Sequence, residues 1–373
     1  MKAGPTSPAL RRYRPGSHPA SQTHGRDARA TRHSDSAWHG RLAHVWGNCS
    51  GRLFRSALAG LLVFILGLAF ARAEKITLRV GYFPNVTHAQ GVIGAQTTRM
   101  GNGWFEQRLG PDVTIQWYPF NAGPSAMEAI FAGTIDLTYV GPNPALNAYI
   151  RSEGGEIRVL AGAAEGGAAL VVPADGRIAK PADFRGRRLA TPQLGNTQDV
   201  AARVWLQQQG FKITLTGGDV QVIPTANPDQ LALFQQRKLD AVWTVEPWVS
   251  RLELEAGGKV YLEQPDAVTT ILVASVKLLK TRPELAEKFR AAHSELTVWL
   301  GSHADEAREL VRAGLSAEVR REMSAAIVAS AWRRLRFTDR VSQAQFETLV
   351  GEARSVGFLP RTIPLDRLFS AKP

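Results

Sequence analysis

The chain of 373 residues carries a formal charge of +12, a pI near 10.2, 44% apolar residues and one cysteine. Residues 1–73 hold 11 Lys and Arg against 2 Asp, so the remaining 300 residues, with 34 basic and 31 acidic side chains, stand at only +3 and lose the charge argument for a nucleic-acid or anionic-membrane partner. Cys49 belongs to that leader, which excludes disulfides, thiolate metal sites and cysteine nucleophiles from the region after it.

Within the leader, Arg52 and Arg55 precede an apolar run from Ala57 to Phe70 that closes in Ala71-Arg72-Ala73, the small-x-small pattern at which signal peptidase cuts. The run has 14 residues, short of the ~20 that span a bilayer. The sequence therefore predicts a secretory signal cleaved after Ala73 and a periplasmic protein. Cys49 lies ahead of the apolar run, against a lipoprotein arrangement. Residues 1–45, rich in Arg, His, Ser and Pro, exceed an ordinary n-region and read either as a wrongly assigned start of translation or as a disordered tail.

From Glu74 onward one unit recurs: an apolar strand, a short turn of Gly, Pro, Asn or Thr, then a helix. Ile76–Val80 opens as a strand, Ala89–Met100 reads as helix, Val113–Trp117 as strand, Ala126–Ala132 as helix, Asp136–Val140 as strand, Ala145–Arg151 as helix and Ile157–Leu160 as strand. After Gly166-Gly167 a second half begins at Ala168–Val172. Its strands lie near Arg188–Ala190, Val220–Ile223 and Ala241–Trp243, and its helices run over Thr197–Gln209, Pro228–Arg237 and Pro247–Glu255. The chain returns near Val268–Ala274. The last hundred residues are almost purely helical, with apolar stripes at Leu285, Phe289, Leu296 and Trp299, at Val319, Met323 and Ile327, and at Phe346, Leu349, Val350 and Ala353. This order predicts an α/β protein of two lobes with mostly parallel sheets, helices on both faces and a helical C-terminal part. The expected division is a leader over 1–73, one lobe from 74–166 and 268–373, and another from 167–267.

A hydrolase needs a nucleophile with a base in reach, yet the region after the leader has three histidines, His88, His293 and His303, and none of the G-x-S-x-G, H-E-x-x-H, P-loop or dinucleotide fingerprints. Metal-ligand spacing is absent as well, so the expectation is a binding protein without cofactor or metal. What recurs is a set of helix starts suited to an anion: Thr87-His88, Gly123-Pro124-Ser125, Asn143-Pro144, and Asn196 with Asp199 three residues on. Each alone is ordinary capping. His88 is either a ligand donor or a capping and packing group, and Trp243 and Trp248 either wall a ligand or fill a core. Glu246 either caps the helix after Pro247 or faces a ligand that carries an amine, a hydroxyl or an accompanying cation.

The segments Val80–Gln90, Phe120–Ser125, Tyr139–Pro144, Ala190–Asp199 and Glu246–Trp248 together resemble the solute-binding proteins of ATP-driven importers for nitrate, taurine and aliphatic sulfonates, over nearly all of residues 74–373. The resemblance implies the type II periplasmic-binding fold, whose two lobes close on a ligand and are joined by two crossings, here near Gly166 and Val268. It implies a cleft lined by Asn85, Thr87, His88, Gly123, Ser125, Gly141, Asn143, Gly195, Asn196, Thr197 and Glu246; Trp243 joins the candidate ligand-binding residues only through its place beside Glu246, not through the resemblance. It further implies a small oxyanion ligand of the sulfonate, taurine or sulfate-ester class, a membrane permease as partner, a monomer and no nucleic acid. Nitrate or bicarbonate, or a pyrimidine precursor handled by a binding protein or enzyme of the same fold, stands as the alternative. The enzyme reading calls for a cysteine or histidine cluster that the region after the leader lacks.

Overall fold

The computed structural model describes residues 75–370; the leader, its apolar run and the cleavage site after Ala73 lie outside the described residues. Strand β1 (Ile76–Tyr82) leads through a 3-10 turn at Val86–His88 into α1 (Ala89–Arg99), followed by α2 (Trp104–Leu109), β2 (Val113–Pro119), α3 (Gly123–Phe131), β3 (Leu137–Val140), α4 (Pro142–Arg151) and β4 (Ile157–Gly166). The chain then crosses into β5 (Ala168–Pro173), β6 (Arg188–Thr191), α5 (Thr197–Gln208), β7 (Gln221–Pro224), α6 (Asn227–Gln235), β8 (Ala241–Val245), α7 (Trp248–Ala256) and β9 (Gly258–Glu263). It returns through β10 (Val268–Ser275) to α8 (Val276–Thr281), α9 (Pro283–Ser302), α10 (Ala304–Val319), α11 (Ala325–Trp332), β11 (Leu335–Phe337) and α12 (Gln343–Ser355).

Two sheets result, a six-stranded one in the order β11-β4-β10-β3-β1-β2 and a five-stranded one in the order β7-β6-β8-β5-β9. β1, β2, β3 and β4 point one way in the first, and β6, β7, β8 and β9 one way in the second. The strands that follow the crossings, β10 and β5, run against them and insert between β3 and β4 and between β8 and β9. Both sheets are therefore mixed, although most strands in each share a direction. A strand that enters from the other lobe arrives at the end of the sheet where the local strands finish, so it pairs antiparallel.

Period-two alternation sorts the strand residues between faces. In the first sheet Leu78, Val80, Tyr82, Leu137, Tyr139, Leu272 and Ala274 join the core under α1, α9 and α10, while Val140, Ile271 and Val273 join the core under α4 and α12. In the second, Leu170, Val172, Leu189 and Trp243 face one core, and Val171, Ala190 and Val242 the other. Phe346 and Ala353 of α12 share a core with Val200 and Val204 of α5, so the C-terminal helix packs on both lobes.

Several elements differ from the sequence expectation. β4 continues to Gly166 because Gly162, Ala163 and Ala164 are buried beside β10 and β11, where small residues suit close packing. α3 starts three residues early, with Gly123 and Pro124 inside its first turn. β9 is a polar edge strand, α2 has six residues and β11 three, all too short or too polar to show a period. Val319 leaves the stripe assigned to it: Arg320 turns left-handed at φ 50, α10 ends, and Val319 is exposed while Met323 and Ile327 are buried.

Candidate functional site

Five helix beginnings meet at one cavity of about 20 Å³ between the sheets. From the first lobe come the 3-10 turn into α1 (Asn85, Thr87, His88), the start of α3 (Asn121, Ala122, Gly123) and the start of α4 (Gly141, Pro144); from the second come the starts of α5 (Asn196, Thr197, Gln198) and α6 (Asn227). Each start presents main-chain N–H groups without helical partners at the positive end of a helix dipole. Among the described residues, no Asp, Glu, Lys or Arg lines the cavity. It is a site of dipoles and amides.

His88 is buried, and its ring meets the Thr87 hydroxyl, whose Oγ1 lies 3.0 Å from Nδ1. Nε2 has no partner among the described residues. Burial holds the imidazole down to about 3, so the ring is neutral. In the tautomer in which the Thr87 hydroxyl donates to Nδ1, the ring proton sits on Nε2, a donor for an oxygen in the cavity. Phe83 packs against the ring, tilted by 31° at 4.4 Å between centroids.

Asn85 Oδ1 accepts the indole N–H of Trp248 at 2.9 Å, which leaves only the Asn85 amide nitrogen for a ligand. Asn227 is arranged in the same way: its Oδ1 accepts from the Thr244 hydroxyl at 3.1 Å, and its amide nitrogen is left. Asn196 caps α5 by accepting the Asp199 N–H at 2.8 Å, and Asp199 is paired with Arg203 in a fully buried bridge. That pair keeps the Asp199 charge turned from the cavity.

The lobes touch across the site. The Asn143 N–H reaches Thr197 Oγ1 at 3.4 Å, the Val86 N–H donates to the Glu246 carbonyl at 3.1 Å, and Gln193 Nε2 donates to Ser125 Oγ at 3.2 Å. A side chain on Gly141 would run into Thr197 Oγ1, so this approach requires glycine.

Of the residues singled out from sequence, Asn85, Thr87, His88, Gly123, Gly141, Asn196 and Thr197 line the cavity. Ser125 is exposed and meets Gln193 beside it, while Asn143 lines a neighbouring cavity and Gly195, at φ 74, donates its N–H to Asp199 Oδ2. Trp243 and Glu246 do not face the cavity. Trp243 is buried in the second lobe's core, its indole N–H donating to Gln264 Oε1 at 3.3 Å. The Glu246 carboxylate is wholly buried and accepts from the N–H and hydroxyl of Ser250 and from Arg334. It caps α7, the simpler of its two sequence readings. Burial pushes its carboxyl up, against the pull of Ser250 and Arg334.

The sequence argument missed Phe83, Asn121, Asn227 and Thr269 in the lining. Asn227-Pro228 repeats the Asn143-Pro144 signature at the start of a helix after a strand, and that repetition was the signal available. Thr269 sits inside a strand, where no turn marks it. Among the described residues, no group of three or more His, Cys, Asp or Glu is placed to hold a metal.

Solved structures of related shape include the alkanesulfonate-binding protein of Xanthomonas axonopodis pv. citri bound to MOPS, with a TM-score of 0.63 and 20% identity over 78% of this chain and 96% of that one. The periplasmic nitrate-binding protein of Synechocystis PCC 6803 gives a TM-score of 0.61 and 13% identity over 77% and 83%. These likenesses show a two-lobed periplasmic-binding-protein fold. In sequence, an Escherichia coli protein named for binding aliphatic sulfonates is 29% identical over 221 residues, 57% of this chain and 63% of its own length. The taurine-binding periplasmic protein of the same organism is 27% identical over 234 residues, 63% of this chain and 66% of its own. The match thus spans just under two thirds of each of these relatives. The NMT1-like family matches residues 71–315, more than half of the chain, and the chain belongs to that family.

Proposed function

We propose that this chain is an extracytoplasmic solute-binding protein that captures a compact oxyanion-bearing organic molecule, of the aliphatic sulfonate or taurine class, between its lobes and delivers it to the permease of an ATP-driven importer. One observation carries the reading: helix beginnings from both lobes converge on a single cavity whose lining holds no charged side chain. An oxyanion there exchanges its water for main-chain N–H groups, the amides of Asn85 and Asn227 and the Nε2 proton of His88, without a counter-ion to slow its release. The small volume suits a head group better than a long chain, and the names of the curated relatives favour sulfonates over nitrate or a pyrimidine precursor.

Closure is the mechanism. We place the hinge at Gly166-Gly167 and in the return segment 264–268, the two points at which the chain passes between sheets; both glycines have positive φ, 74 and 69, and Gly167 is packed under Leu335. A ligand on the first lobe gains contacts with Asn196, Thr197 and Asn227 only when the second closes, and that differential affinity shifts the population. The sequence of the leader supports export, the resemblance of the turn segments to importer-binding proteins supports the permease, and a His88 with no carboxylate to orient it among the described residues supports binding over catalysis.

Titration of the purified protein with methanesulfonate, taurine and nitrate, followed by calorimetry and tryptophan fluorescence, tests the reading. One-to-one saturable binding of a sulfonate supports it. No response to any of the three oxyanions overturns it.

A further inference from the structure

Beside the oxyanion cavity lies a second and larger one, of about 220 Å³, that no step above uses. Its walls come from both lobes: Asn143 on α4, Thr197 and Ala201 on α5, the return segment Gln264–Val268, and Gln345, Thr348, Leu349 and Glu352 on α12. The Asn143–Thr197 contact separates it from the first cavity.

Its chemistry is the reverse of its neighbour's. Two carboxylates, Asp266 and Glu352, face it, and among the described residues no Lys, Arg or His lines it. Glu352 is half-buried and, among the described residues, makes no side-chain hydrogen bond and has no ion-pair partner; burial holds its carboxyl above the usual range. Asn143 is only 4% exposed, and its Oδ1 has no partner. A buried amide oxygen left without a donor destabilises the fold unless a ligand supplies one. Two unpartnered acceptors, one of them a carboxylate, thus border a space whose remaining lining is partly apolar, from Ala201, Ala267, Val268 and Leu349, and partly polar. What satisfies both is a positive N–H donor with a small apolar body. Metal ions are poorly served, since among the described residues Glu352 and Asp266 have no third carboxylate or imidazole beside them.

We propose that this cavity is a second ligand site, distinct from the oxyanion site, and that it takes a small organic ammonium ion, with Glu352 as its counter-charge and Asn143 Oδ1 as an acceptor. The proposal does not depend on the oxyanion reading.

Calorimetric titration of the full chain with ethylammonium chloride tests it, with potassium chloride at equal ionic strength as the control and methanesulfonate titrated separately. The expected result is saturable one-to-one binding of ethylammonium, at least tenfold weaker in Glu352→Gln, while the circular dichroism melting curve and the methanesulfonate titration of that variant match the parent. Absence of saturable ethylammonium binding, equal binding of potassium, or ethylammonium affinity unchanged in Glu352→Gln would each overturn the proposal. Failure of methanesulfonate to bind would bear on the oxyanion reading alone.

Discussion

The indole N–H of Trp248, at the start of a helix in the second lobe, donates to Asn85 Oδ1 in the first at 2.9 Å, and both residues are buried. The bond joins the lobes and also sets which end of the Asn85 amide is free for a ligand. Trp248→Phe keeps an aromatic ring and removes the donor. A buried hydrogen bond contributes about 1 kcal/mol, so the variant is expected to bind a sulfonate roughly fivefold more weakly. Calorimetry on parent and variant measures the difference, and equal affinities would remove Trp248 from the closure contacts.

Gly141→Ala separates closure from stability. The added methyl would collide with Thr197 Oγ1 on the other lobe, while the backbone of Gly141, at φ −68 and ψ 152, suits alanine. Sulfonate affinity is expected to fall at least tenfold with little change in the melting temperature of the ligand-free protein. A large drop in melting temperature would instead mean that the lobes are locked together without ligand.

Glu246→Gln tests the assignment of that carboxylate to α7 and Arg334. The charge is buried, and Arg334 bridges it to Glu253 and Glu263 on the exposed side. Burial lowers the guanidinium pKa, but the bonds and charges of Glu263, Glu246 and Glu253 outweigh it and leave Arg334 firmly protonated. Removing the Glu246 charge is expected to cost about 1–3 kcal/mol in urea unfolding, with sulfonate affinity changed less than about threefold. A variant of parental stability that has lost ligand binding would return Glu246 to the cavity.

Acid should destabilise the protein through two buried imidazoles. His293 donates from Nε2 to the Gly162 carbonyl at 2.7 Å and sits 3.1 Å from the Tyr139 hydroxyl, and burial holds it down to about 4, as it holds His88 down to about 3. Above pH 6.5 both rings are neutral folded and unfolded. Below it the unfolded chain takes up protons that the folded chain refuses, so each ring costs up to about 1.4 kcal/mol per pH unit until its folded pKa is reached. Melting temperature is expected to fall from pH 6.5 towards pH 4, and less steeply in His88→Gln. An identical slope in that variant would contradict the buried, neutral state of His88.

The sequence carried the frame well because strand-turn-helix order depends on local signals: Asn196 capping α5, Pro at the start of α3, α4 and α6, and strands of buried aliphatics. Seven of the twelve residues singled out reach the cavity for the same reason, since they mark helix starts after strands. Direction of a side chain is another matter. Glu246-Pro-Trp248 also sits at such a start, but a partner 88 residues on, Arg334, draws the carboxylate away, and nothing local to residue 246 announces it. Trp243 is decided by its parity on β8, which places it in the core with Leu170 and Leu189. The reversed strands β5 and β10 follow from the crossings, a property of the whole chain path rather than of any short window.

A crystal structure of the protein with methanesulfonate bound tests the central claim most directly. The account predicts the sulfonate between the lobes, its oxygens within about 3 Å of main-chain N–H groups from helix starts of both lobes and of His88 Nε2, with no cationic side chain in contact. A sulfonate bound by Lys or Arg elsewhere, with the cavity at Thr87, Gly123 and Thr197 left to water, would contradict it.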